Sequence, residues 1–344
     1  MADTASKLTV SELDFDTIKT NLKNFLGDQN ELTDYNFDGS TLSIILDLLA
    51  YNTHYNAFYL NMAVNETFLD TASVRNSVVS RAKHLGYTPT SVLGGKAYVD
   101  LTIYPTDSPS TITIAKSTQF TSTVNGISYV FSTSGSTSVS VDADGAYTTA
   151  NVELSQGIPL SHRYTANTND PDQGFFLPNA NTDTSTLVVQ VQTSATVTNT
   201  YTYSVANDTT TINSTANVYF LEEAENGKYE VLFGDDVTGR KLTSGNIVIL
   251  TALVADSTDP NGAKVFTATS GVGGYSNVTV STLSTSSGGA ARDSLTNIKF
   301  NAPRSYQAQN RAVTTNDYIR ILQRDYTAAE SVIAWGAEEN DPPV

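Results

Sequence analysis

The chain contains no cysteine, which removes disulfides, thiolate nucleophiles and Cys-type zinc sites and suits a protein that folds in a reducing cytoplasm. Histidine is almost as scarce. His54, His84 and His162 fall in three separate segments without a His-x-x-x-His or His-Glu-x-x-His spacing, so zinc catalysis has no sequence support. Positive charge is short as well: 19 Lys and Arg against 35 Asp and Glu give a net charge of −16. That balance argues against a protein that coats nucleic acid, because phosphate contacts require cations in excess. It disfavours a membrane-surface role on the same ground. No apolar run reaches the ~18 residues that suggest a membrane span; the longest, Ile247–Ala255, is about half that. Met1–Lys7 lacks the apolar stretch of a signal peptide and reads as a solvated, non-secreted start. A single tryptophan, Trp335, leaves little with which to build a sugar-stacking cleft.

What is present is a chain of 344 residues, long enough for two or three domains with real cores. Its acidic balance would keep an abundant assembly component soluble and monomeric until it meets its partners. Residues 1–90 carry a helical period. Asp14 is placed to cap a helix with Phe15, Ile18, Leu22, Phe25 and Leu26 on one side and Gly27 at its end. Ser40 is placed to cap a longer helix bearing Leu42, Ile45, Leu46, Leu49 and Ala50 and reaching Leu60 or Met62. Ser73 opens a third, with Val74, Val78, Ala82 and Leu85 on one face, closed by Gly86 and Pro89.

From about residue 95 the period shortens to two. Thr, Ser and Val dominate, and turns recur at Asn125-Gly126, Asp144-Gly145, Asn226-Gly227 and Asn261-Gly262. Ala97–Tyr104 and Thr186–Val191 read as strands, and Val218–Glu222 with Tyr229–Phe233 as a hairpin. Residues 161–185 show neither period and are expected to form a long surface loop or an inter-domain crossing. A Ser/Gly-rich link at 281–290 precedes a helix from Asp293 to about Asn301, broken at Pro303, and another capped by Thr315.

Each motif that could carry chemistry has a simpler structural reading. Phe233-Gly234-Asp235-Asp236, followed by Gly239-Arg240, offers two carboxylates, but calcium wants six to eight oxygens from a shaped loop. A tight turn explains the residues with less: glycines at positive φ, Asp side chains on turn N–H groups, and Arg240 beside an Asp. Asp142-Ala143-Asp144-Gly145 begins like a calcium loop, yet Tyr147 stands where glycine is required. Gly126-Ile127-Ser128 and Gly271-Val272-Gly273-Gly274 each lack the last glycine of their motif. No catalytic, metal or cofactor residues are assigned, and no cofactor is expected.

Assembly is the stronger theme. Tyr51, Tyr55, Phe58 and Tyr59 spread around the long helix beside the aliphatic face of Leu42, Ile45, Leu46 and Leu49. A helix apolar on several sides must be covered by more than one neighbour, and another chain is the expected cover. Residues 291–326 reverse the acidic balance locally, with Arg292, Lys299, Arg304, Arg311, Arg320 and Arg324 against Asp293, Asp317 and Asp325. Solvated helix faces and complementarity to an acidic partner surface explain this equally well.

Two blocks together carry a family resemblance. The first is Tyr229–Phe233, the Phe233-Gly234-Asp235 turn with Gly239, and the strand after Ser244-Gly245-Asn246. The second runs from Gly288-Gly289 through Pro303-Arg304 to Arg311-Ala312-Val313-Thr314-Thr315-Asn316-Asp317-Tyr318. In order and interval they resemble the baseplate J-like family. Leu8–Asp28, Asp47–Asn56 and residues 65–90 are similar to the large baseplate wedge subunit of contractile-tailed phages.

That resemblance implies an α+β, multidomain fold: a helical, bundle-forming region at 1–90, a β-rich domain at 91–216 and a baseplate J-like α/β domain at 217–344 that is missing a C-terminal portion. It implies a non-enzymatic wedge subunit that links wedges around the hub and rearranges on sheath contraction. The implied partners are a second copy of the chain and other wedge subunits through a helical bundle, with sheath-initiating and hub-proximal tail proteins as further neighbours; nucleic acid and membrane are not among them. The implied location is the virion tail baseplate, after assembly in the host cytoplasm. The Thr/Ser-rich middle leaves a β-rich receptor-binding or tail-fibre module as the rival reading, and paired carboxylates of a carbohydrate-active enzyme as a second.

Overall fold

The structure is a computed structural model that describes residues 14–27, 40–170, 173–206, 212–308, 311–325 and 331–336. Helix α1 (Phe15–Gly27) starts where the Asp14 carboxylate accepts the backbone N–H and the hydroxyl of Thr17, at 2.7 and 2.6 Å. Helix α2 (Thr41–Asn65) starts where the Ser40 hydroxyl accepts the Ser43 N–H at 3.0 Å. Both caps lie where the sequence puts them. Helix α3 (Arg75–His84) differs: its N-cap position is Val74, which has no side chain to offer, and Ser73 is a donor rather than a cap. The acceptor comes from Glu66 at the end of α2. Gly86, at φ +69°, closes α3 as expected.

Fifteen strands are described. The first seven are β1 (Lys96–Ile103), β2 (Thr111–Ile114), β3 (Gln119–Val124), β4 (Ile127–Thr133), β5 (Thr137–Ser140), β6 (Tyr147–Gln156) and β7 (Ile158–Thr165). Then come β8 (Phe175–Leu177), β9 (Thr182–Gln192), β10 (Thr200–Val205), β11 (Val218–Glu223), β12 (Tyr229–Phe233), β13 (Ile247–Val254), β14 (Thr267–Ala268) and β15 (Val278–Ser287). Helices α4 (Leu295–Ala308) and α5 (Thr315–Asp325) follow. The fold is α+β.

The strands form a six-stranded sheet in the order β14-β3-β4-β6-β1-β15, a seven-stranded sheet in the order β7-β13-β9-β10-β11-β12-β8, and the pair β2-β5. Neighbours are antiparallel except β10 and β11, which pair in parallel through Ser204 and Val218. Alternation along β1 and β3 sends Val99, Leu101, Ile103 and Phe120 into one core, which Ile112, Ile114 and Val139 of the two-stranded pair also enter. A second core is built from Val189, Val191, Tyr203, Tyr229, Val231, Val248 and Leu250. The turn Asn125-Gly126, at φ 52° and 83°, joins β3 to β4 as the sequence predicts.

Three segments depart from expectation. Residues 161–185 are not a loop: β7, β8 and the start of β9 lie there, and β7 is paired along its whole length with β13. Residues 281–290 are not a link, because β15 runs to Ser287 and pairs with β1. Helix α4 continues through Pro303 despite the lost hydrogen bond; Ile298 and Ala302, one turn apart and fully buried, hold it there.

The chain divides into two compact units. One comprises Met1–Gly86 with Leu295–Pro303, and the other Tyr87–Ser294 with Arg304–Val344. In the first, α1 packs along α2 through Ile18, and Lys19 pairs with Asp47 at 2.6 Å. Lys299 of α4 donates to the Asp70 carbonyl at 2.9 Å. The second holds both large sheets.

Candidate functional site

Helix α2 has 25 residues and spans roughly 37 Å. One face is settled within the chain: Ser43, Leu46, Ala50, Ala57 and Asn61 are buried. The small side chains of Ala50 and Ala57 allow close approach along that face. The other face is apolar and open. Ile44, Leu48, Tyr51, Tyr55, Phe58 and Met62 follow one another in alternating steps of four and three residues, the spacing of a helix–helix seam. Each is between 41% and 66% exposed. Ile45, Leu49, Tyr59 and Leu60 flank the seam and are exposed too.

Several polar groups on α2 are engaged locally. Its one charged residue, Asp47, pairs with Lys19. Asn56 donates to Asn52 at 2.6 Å, and the Thr53 hydroxyl to the Leu49 carbonyl at 2.8 Å. The aromatic rings form a ladder, with centroids 4.6 Å apart for Tyr51 and Tyr55 and 6.3 Å for Tyr55 and Tyr59. The hydrogen bond with Tyr55 raises the Tyr51 phenol above its ordinary value. Covering a half-exposed side chain of this size is worth roughly 1 kcal/mol before the costs of association.

Of the residues singled out from sequence, Tyr51, Tyr55 and Phe58 lie on the seam, and Ile45, Leu49 and Tyr59 beside it. Leu42 is half-buried, and Leu46, 3% exposed, belongs to the inner face. Ile44, Leu48 and Met62 complete the seam, and the four-and-three spacing is the sequence signal that finds them.

The Phe233–Gly239 turn is structural. Phe233 meets Phe175 and Tyr203 edge-to-face, with both centroid distances 5.4 Å. The Asp235 carboxylate accepts the N–H groups of Val237 and Thr238 at 3.0 and 2.9 Å, which lowers its pKa, and Asp236 accepts that of Lys241 at 3.0 Å. Gly239 has positive φ, but Gly234 does not. Glycine is required at 234 for space: a Cβ there would stand 2.3 Å from the Gly239 carbonyl carbon and oxygen. In the second block, Arg304 and Arg311 are exposed, and Tyr318 is exposed on α5. Thr314, not Thr315, caps α5: its hydroxyl accepts the Asp317 N–H at 3.3 Å while the Asp317 carboxylate accepts the Thr314 N–H at 2.8 Å. In the basic stretch, Arg292 lies over Gly227, and the side chains of Arg320, Arg324 and Asp325 are outside the described residues. Among the described residues no cluster of His, Asp and Glu could hold a metal ion, and no helix is long and apolar enough to cross a membrane.

Helix α2 is thus buried on one side and offers a long uncharged apolar seam on the other. Residues 14–87 match the family described as baseplate wedge protein gp6-like, helical domain. The chain is thus similar, over less than half of its length, to baseplate wedge proteins. It is 44% identical over 106 residues to baseplate wedge protein gp6 of Enterobacteria phage T4. That stretch is 31% of this chain and 16% of the relative's length. A chain of the anti-feeding prophage baseplate, solved by cryo-electron microscopy with six-fold symmetrisation, aligns over 93% of this chain and 66% of its own at 14% identity, with a TM-score of 0.32. At that score the likeness is too weak to define a shared fold.

Proposed function

We propose that this chain is a structural baseplate wedge subunit of a contractile phage tail, with α2 as its docking element. The outer seam of α2 carries this reading. A helix apolar on two sides gains free energy when both are covered, and the chain's own fold covers one. The occupants of the seam are helices of a bundle formed with a second copy of the chain and another wedge subunit. The seam's lack of charge suits helical partners that dock by shape and apolar contact. The role is mechanical rather than catalytic: the subunit links neighbouring wedges around the hub, and its bundle passes between two packings when the sheath contracts. Sheath-initiating and hub-proximal tail proteins are further neighbours, in the virion tail baseplate.

The test is native mass spectrometry of complexes recovered with the tagged full-length chain from infected cells. A complex holding two copies of the chain and a second tail protein is expected. Recovery of the chain solely as a monomer, or as a homotrimer bound to surface glycan, would overturn the reading.

A further inference from the structure

Strands β1 and β15 form an antiparallel ribbon, with β15 at the end of the sheet order. Beyond Lys96 and Ser287 this ribbon has an open end, close to Tyr87 and Ser294, where the strand-rich unit begins and breaks. The ladder is irregular just inside that end, with register shifts on both sides of Tyr98. On its other side β1 is backed by β6, which pairs with Lys96 through Ser155, so the strand that can peel away at this end is the edge strand β15.

Here the end is closed in step. Three residues beyond the Lys96–Ser287 pair on both strands, Leu93 and Ala290 exchange backbone hydrogen bonds at 2.9 and 3.0 Å. Three residues further, the Asp293 N–H donates to the Thr90 carbonyl at 3.0 Å. The Asp293 carboxylate then accepts the Thr90 N–H at 3.0 Å and the Tyr87 hydroxyl at 2.8 Å. A side-chain oxygen thus stands in for a backbone carbonyl and gathers an additional donor. The same segment is held from another side: the buried Tyr229 hydroxyl donates to the Pro89 carbonyl at 2.9 Å, and the Thr88 hydroxyl to the Leu221 carbonyl at 3.0 Å.

We propose that Asp293, with Tyr87 and Thr90, is a latch that keeps the β1–β15 ribbon from unzipping at its open end. Hydrogen bonds to an ionised carboxylate are roughly twice as strong as neutral ones. Opening the end requires several of them to break together, and the fastening to β11 and β12 shares any load that arrives through residue 87. The inference stands on these bonds and does not depend on the wedge assignment.

Hydrogen exchange on the full chain tests it, with Asp293→Ala and Tyr87→Phe compared with the unaltered protein. Asp293→Ala should accelerate exchange at Thr90, Leu93, Ala290 and the first pairs of β1 and β15 by roughly tenfold or more. The amides of β9 and β13 and the melting temperature should hold. Tyr87→Phe should give a smaller acceleration at the same amides. Unchanged exchange there, or equal acceleration across β9 and β13, would overturn the latch.

Discussion

The carboxylate of Glu66, the residue that ends α2, accepts the backbone N–H and the hydroxyl of Ser73 at 2.8 and 2.7 Å and the N–H of Val74 at 3.3 Å. The residue whose backbone ends one helix thereby supplies, through its side chain, the acceptor at the entry to the next. Val74 has no side chain with which to cap α3, and the acceptor at the entry to the helix comes from Glu66 instead. The corner between α2 and α3 depends on a charge borrowed across seven residues of chain.

A pH dependence follows from this corner. Burial alone pushes the Glu66 carboxyl up, but hydrogen bonds from Ser73, Ser77 and Val74 hold it at about 2, against the ordinary 4.5. Because the folded value lies below the unfolded one, the contribution is full above pH 4.5 and disappears as the pH falls towards 2. Solvent reaches this group, so the contribution is about 1 kcal/mol, typical of a cap rather than of the whole shift. Glu66→Gln should be less stable than the unaltered chain by about that amount near neutral pH, with the gap closing in acid. Circular dichroism melts across the range measure the gap; one that stays constant down to the lowest pH would contradict the assignment.

The two glycines of the Phe233 turn should respond to different substitutions. Gly234→Ala places a methyl group against the Gly239 carbonyl and should cost about 1–3 kcal/mol. Gly239→Asn should be milder than Gly239→Val, since asparagine tolerates positive φ and valine does not. Thermal unfolding of the full chain gives the ranking. Equal melting temperatures for Gly234→Ala and the unaltered chain would mean that the close approach is not real.

Phe233→Leu keeps an apolar side chain but removes two edge-to-face ring contacts. A loss of about 1–2 kcal/mol is expected in denaturant unfolding. No loss would show that the neighbouring rings need no aromatic partner.

Local chemistry was legible where one residue decides an outcome. Asp14 and Ser40 cap their helices, Asn125-Gly126 turns its hairpin, and β11 pairs with β12 as their alternation implies. What was illegible depends on pairing between distant segments. The run Val278–Ser287 is mostly Ser and Thr and becomes a strand because β1 lies beside it. The segment from Ile158 holds a strand because β13 supplies its ladder. Glu66 could not be identified as a cap, since capping signals are read within one turn and this one reaches across a corner. On α2 the apolar content was plain, but which residues face outward depends on where α1 packs, and that places Leu46 inside and Leu48 outside.

That last distinction gives the most direct test of α2 as a docking element. Leu46→Asp and Leu48→Asp are compared by native mass spectrometry of wedge complexes and by the helicity of the free chain. Leu48→Asp should leave the free chain as helical as before and abolish the complex, because the charge is solvated until a partner covers it. Leu46→Asp should unfold the helical unit itself. Complexes formed at undiminished yield by a well-folded Leu48→Asp chain would contradict the proposal that this seam assembles the wedge.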